Sequence, residues 1–231
     1  MRFSVFCCFS VVLLTGCADE GQGGSVQPPS ELHAQENVSS VPRTDEPERS
    51  SPTEKAEVER PDMGVLAAKV QVGDVILIGG DSIFLQAGVA FSKHRPAYGH
   101  VGIVVATEPS VRVLEASGSP VDDGTVEESD LAHFARDADW LAVMRPGHHT
   151  AEFVSAAQRA AERATGFDSS YDLDTPDQLY CTELIDVAMA DGNWPVRLER
   201  QMMMDKPIIL PEAILFHPDF TNVLVLPATE S

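Results

Sequence analysis

The chain has 231 residues, room for one ordinary domain and some additional segments. It is 43% hydrophobic and 23% charged, normal for a chain with a folded core. A formal net charge of −20 argues against a nucleic-acid partner and against electrostatic attraction to anionic membrane surfaces.

The first elements are not part of a fold. Met1-Arg2 is a short positive start, and Phe3 to Leu14 is an apolar run too short to span a bilayer comfortably. It closes in Leu14-Thr15-Gly16-Cys17, with small residues just before a cysteine, which has the shape of a secretory signal. The same residues resemble the lipobox of bacterial lipoproteins. That resemblance implies cleavage before Cys17, lipidation of Cys17, and residues 1–17 as signal peptide. Ala18 stands where an Asp would imply retention in the inner membrane, so an outer-membrane location facing the periplasm is expected in a Gram-negative cell. A plain signal peptide with a chance cysteine is the alternative.

Residues 18–62 are dominated by Gly, Ser, Pro, Gln and Glu, as in "GQGGSVQPPS". Such a stretch buries too little apolar surface to offset its ordering entropy, so a disordered acidic tether is expected. Flexible chain of that length has an end-to-end span on the order of 35–40 Å and a stretched reach of roughly 150 Å.

Residues 63–231 carry the pattern of a single α+β domain. "VGDVILIG" (Val72 to Gly79) predicts a strand after a Gly-Asp turn, and Asp81 predicts the cap of a helix over "DSIFLQAGVAFSK". His100–Val105 and Val111–Ala116 predict two strands joined at Glu108-Pro109-Ser110 into an antiparallel hairpin. A short helix follows within "GTVEESDLAHFARDAD", with Ser129 as its cap. Trp140–Arg145 predicts another strand and Thr150–Thr165 an amphipathic helix. Apolar spacing at Leu184, Ile185, Val187, Ala188 and Met189 predicts a helix that starts near Cys181 and ends at Asp191-Gly192-Asn193. Pro211 predicts a short helix, and Val223–Leu226 a final strand.

Cys7 and Cys8 would leave with the signal and Cys17 would carry lipid, so Cys181 is the lone cysteine of the domain. It reads either as a buried, inert small hydrophobe or as a nucleophile. Free N–H groups and the macrodipole at a helix start favour a thiolate and can hold an oxyanion. His100 opens an otherwise apolar strand. Glu115 stands where the alternation of Val111 and Val113 asks for another aliphatic residue, either a strand-end carboxylate reaching solvent or a buried one that needs a partner. The hairpin puts His100 and Glu115 on adjacent strands. Together with Cys181 they form a set of nucleophile, base and orienter.

In this order, "GDVILI", "YGHVGIVV", "VLEA" and "YCTEL" resemble the circularly permuted NlpC-type papain-like cysteine hydrolases, in the YiiX/YebB-like branch that includes lipoproteins. The lecithin-retinol acyltransferase group shares the permuted order, in which His100 precedes Cys181. The resemblance spans about Val65 to Pro227. It implies an antiparallel sheet packed with helices, with Cys181 as nucleophile, His100 as base, Glu115 as third triad member and Tyr180 as a substrate-positioning residue. Gly99 and Thr182 depart from serines frequent beside the histidine and the cysteine. The implied activity is a cysteine peptidase or amidase acting on an amide in the cell envelope through an acyl-enzyme, with no metal and no cofactor. The substrate would be a peptidoglycan peptide or an N-acyl amide. A lipid-directed acyltransferase or thioesterase and a non-catalytic binding lipoprotein are the competing readings.

The remaining candidates read as ordinary. His148-His149 is expected in a solvated turn, because no ligand partner stands at metal spacing. His94 and Arg95 are expected in a surface loop, Met202-Met203-Met204 in the core or partly exposed, and Glu183 in a surface or structural role.

Overall fold

The computed structural model describes residues 61–81, 85, 92–119, 122–175, 177–203 and 205–226. The expected signal peptide, nearly all of the expected tether and most of the helix expected over 81–93 lie outside them. The chain divides into two units, Met1–Thr53 and Glu54–Ser231, and every described residue belongs to the second.

That unit opens with α1 (Met63–Lys69), which the sequence reading did not anticipate. Asp62 caps it by accepting hydrogen bonds from the Gly64 and Val65 N–H groups. Then come β1 (Val75–Gly79), β2 (His100–Ala106), β3 (Arg112–Ser119), β4 (Asp122–Asp130), α2 (Leu131–Phe134), β5 (Trp140–Pro146) and α3 (Thr150–Arg163). The chain continues through β6 (Gly166–Phe167), β7 (Gln178–Leu179), α4 (Cys181–Asp191), β8 (Gln201–Met203), β9 (Lys206–Ile208), α5 (Glu212–Leu215) and β10 (Phe220–Leu226).

Six strands form one sheet in the order β10-β5-β1-β2-β3-β4, antiparallel throughout. All five residues of β1 are buried, as a strand covered on both faces requires. Side chains alternate between two apolar layers. Val101, Ile103, Leu114 and Ala116 point into one, which they share with Phe153 and Ala157 of α3 and Leu184, Ile185 and Ala188 of α4. Val104 and Val113 point into the other, with Leu66 of α1 and Phe134 of α2. The paired apolar faces of α3 and α4 thus seat the cysteine-bearing helix on the sheet.

The expected hairpin forms, with Ile103 opposite Leu114 and Val104 opposite Val113. The region around Ser129 differs from expectation. Residues 122–130 are a strand, and Asp130, not Ser129, caps the short helix by accepting from the His133 N–H. The polar run "VEESD" hides that strand because β4 lies at the sheet edge. The His148-His149 turn is the solvated one expected, with Gly147 and His149 exposed and His148 partly buried. His148 Nε2 lies 3.4 Å from Asp219 Oδ2, and its ring centroid is 4.8 Å from that of Trp194. Met202, by contrast, is 71% exposed on the β8–β9 hairpin.

Candidate active site

Cys181 is the first residue of α4 and is buried. Its backbone N–H belongs to the first turn, which has no intrahelical acceptor. The helix start is fixed from both sides of Cys181 by one residue. The Tyr180 hydroxyl accepts from the Ile209 N–H at 3.0 Å, and the Thr182 hydroxyl donates to the Ile209 carbonyl at 2.6 Å. Further along α4, the buried Asp186 accepts from Arg197 at 2.6 and 3.0 Å and from the Leu198 N–H at 3.2 Å. The segment after the helix is thereby tied back onto it.

His100 is placed by the sheet. It pairs with Ile78 of the central strand, and the Gly99 N–H just before it donates to the Ile78 carbonyl at 2.9 Å. A Cβ at Gly99 would run into the Leu85 carbonyl, so a side chain at this position has no room. The imidazole packs at 5.5 Å from the Phe134 ring. Its Nε2 lies 2.7 Å from Glu115 Oε2. Glu115 is 5% exposed, and its other oxygen accepts from the Ser129 hydroxyl at 2.5 Å. The register explains that contact. Ser129 stands directly opposite Val113, two residues from Glu115 on the same face, so it is the carboxylate's diagonal neighbour.

Burial works against charge on the ring. The influence of Cys181 and of the bonded Glu115 outweighs it and raises the His100 pKa to about 10. Burial likewise pushes the Glu115 carboxyl up, but its hydrogen bond with His100, the His100 charge and the Ser129 bond together hold it below the usual range. His100, Glu115 and Ser129 therefore form a continuous hydrogen-bonded chain in which a cationic ring is favoured.

Tyr180 is 2% exposed and its hydroxyl is committed to Ile209. Its side chain ties the start of the cysteine helix to the Ile209 segment. Burial pushes its phenol up. Tyr171, at a left-handed φ of 52°, sets its ring 5.2 Å from that of Tyr180 and is only partly buried. Glu183 is 4% exposed and accepts from the Tyr180 N–H at 3.4 Å. Burial is the main reason its carboxyl is pushed up to about 7, and the charges of Asp168, Asp186 and Asp172 add to it.

The fold is that of an α+β protein, a six-stranded antiparallel sheet packed with helices. Compared with known proteins, no family model and no curated protein matches the chain. Among solved structures it is similar to the crystal structure of the metalloprotein YiiX from Escherichia coli O157:H7. The TM-score is 0.55 at 19% identity, over 68% of this chain and 97% of that one. Among the described residues here, no three His, Cys, Asp or Glu side chains gather closely enough to hold a metal ion.

Proposed function

We propose that this protein is a cysteine hydrolase that cleaves an amide bond in the bacterial cell envelope. The observation that carries this reading is a buried Glu115 bonded to His100 at 2.7 Å, with Cys181, the first residue of α4, among the groups that favour the charged ring. An inert buried cysteine has no need of a histidine whose charged form is stabilised beside it.

In the proposed reaction His100 takes the Cys181 proton, and the sulfur forms a bond to the amide carbonyl carbon. The carbonyl π pair moves to oxygen, and the resulting oxyanion faces the Cys181 backbone N–H at the start of α4. Collapse breaks the C–N bond, and His100 delivers its proton to the departing amine. Water then gives a proton to His100 and attacks the thioester. A carboxylic acid leaves, and the proton returns to the thiol. Glu115 holds the ring orientation and its positive charge, and Ser129 holds Glu115. The substrate would be a peptidoglycan peptide or N-acyl amide, reached by a domain tethered through residues 18–62 to a lipid on Cys17.

The test is the pH dependence of alkylation at Cys181, read by mass spectrometry on the peptide that contains it. A free thiol reacts with a midpoint near about 8.5. A plateau reached by about pH 6 and lost in His100→Ala supports the Cys–His pair. Ordinary thiol titration, unchanged by His100→Ala, refutes it. Mass analysis of the mature N-terminus tests the anchor, with a lipidated Cys17 expected and an unmodified one refuting it.

A further inference from the structure

Trp194 is buried where α3, the exit of α4 and the turn into β10 meet. Its ring lies 5.4 Å from that of Phe153 in α3 and 5.2 Å from that of Phe220 in β10. Two histidines border it. His148, just before α3, lies 4.8 Å away, and His217, just after α5, lies 6.1 Å away. His217 also packs on Phe220 at 5.6 Å and is only 6% exposed. The chain after Trp194 is the stretch that Asp186 holds to the cysteine helix through Arg197 and the Leu198 N–H.

The two histidines differ in what a proton would meet. His148 is partly exposed and its Nε2 lies 3.4 Å from Asp219 Oδ2, so a charged His148 has water and a counterion. The exposed His149 ring stacks on it at 4.7 Å. His217 has neither advantage. Its Nδ1 accepts from the Asp219 N–H at 3.2 Å, which puts the single proton of the neutral ring on Nε2. Both nitrogens of a charged imidazole are donors, so protonation would set Nδ1–H against that N–H and break the bond. Burial is the largest influence on His217 and lowers its pKa, and the His148 charge works the same way. Asp219, the Val196 carbonyl and Asp186 oppose them, but Asp186 is already engaged by Arg197 and Arg200.

We propose that the His148–Trp194–His217 stack is an acid-sensitive latch, in which a proton on His217 breaks the Asp219 N–H bond and frees the Trp194 segment while the sheet stays intact. The sign follows from the buried neutral ring. Neutral His217 holds the latch shut above pH 6.5, and that support is lost as pH falls below it. What opens is the exit of the cysteine helix, at the opposite end from Cys181.

Hydrogen–deuterium exchange mass spectrometry on the full-length protein tests this. The Trp194 N–H donates to the Met189 carbonyl at 3.0 Å and the Leu198 N–H to Asp186 at 3.2 Å, so both amides report whether the segment is closed. After correction for the chemical exchange rate, the peptide that carries them is expected to exchange several-fold faster at about pH 5 than at about pH 7.5. A peptide from β1 should keep its protection, which marks the opening as local. In His217→Phe, whose buried ring cannot titrate, the pH effect on the Trp194 peptide should vanish. His217→Gln carries the same expectation and retains an oxygen that can accept from the Asp219 N–H. Equal protection of the wild-type Trp194 peptide at both pH values overturns the proposal, and so does an acid opening that persists in either variant. Loss of β1 protection together with that of Trp194 is global unfolding and also refutes the latch.

Discussion

Glu115→Gln isolates the charge that steadies the histidine. The substitution keeps the side chain's shape and a hydrogen-bonding oxygen, and removes one negative charge 2.7 Å from His100 Nε2. Charge centres about 4 Å apart at an effective dielectric near 20 interact by about 4 kcal/mol. At about 1.4 kcal/mol per pH unit, that sets a ceiling of about 3 pH units on the change at His100. A neutral amide oxygen still accepts from the ring, and Cys181 continues to favour its charged form. The His100 pKa is therefore expected to drop from about 10 by about 1–2 pH units. Ring-carbon NMR titration measures it, with the His100 signal assigned by its loss in a His100→Gln sample. Stability gives a second readout. A histidine pKa raised on folding contributes stability that is complete below pH 6.5 and lost as pH rises toward 10. The wild-type melting temperature should fall across that window, and the fall should be shallower in Glu115→Gln. A His100 titration unchanged by the substitution would refute the argument, since a charge at hydrogen-bond distance in a buried site cannot be silent.

Ser129→Ala should move the His100 titration in the same direction as Glu115→Gln but by less than about 1 pH unit, because it weakens the carboxylate without deleting it. A change equal to that of Glu115→Gln would mean the strand itself had shifted. Tyr180→Phe leaves the Ile209 N–H without its acceptor and should cost about 1–3 kcal/mol in chemical denaturation. Unaltered stability with a purely kinetic defect would return Tyr180 to a substrate-binding role. Glu183→Gln tests the opposite sign. A carboxyl whose pKa rises to about 7 on folding weakens the fold as pH climbs from 4.5 through 7, so this variant should be more stable than wild type at pH 8, by about 1 kcal/mol. The advantage should vanish at pH 4, and a loss of stability at both pH values would show that the Tyr180 N–H bond outweighs burial.

Much of the scaffold was legible in the residues because its signals are local. Val, Ile and Leu in short runs marked β1, β2 and β5, and Glu108-Pro109-Ser110 marked the turn between β2 and β3. Apolar spacing with a Gly192 stop marked α4. The pairing of His100 with Glu115 followed from strand alternation and one hairpin. Ser129 was missed as a site residue for a physical reason. An edge strand exposes one face and one ladder to water, so its composition resembles a loop, and only the register opposite Val113 reveals where Ser129 points. The anchoring contact of Tyr180 was not legible because sequence adjacency to Cys181 says nothing about which groups lie across the fold. Its hydroxyl meets a backbone N–H 29 residues away.

The order in which the site is assembled follows from where its parts lie along the chain. His100 and Glu115 are 15 residues apart within one hairpin, a contact cheap in loop-closure entropy. Cys181 joins them only when α3 and α4 dock on the sheet and the strand-to-helix crossing through Ile209 closes over the helix start. Contacts of such wide separation form late. A growing or partly refolded chain therefore holds the His100–Glu115 pair before Cys181 is brought to it, and the full cluster exists only in the completed fold.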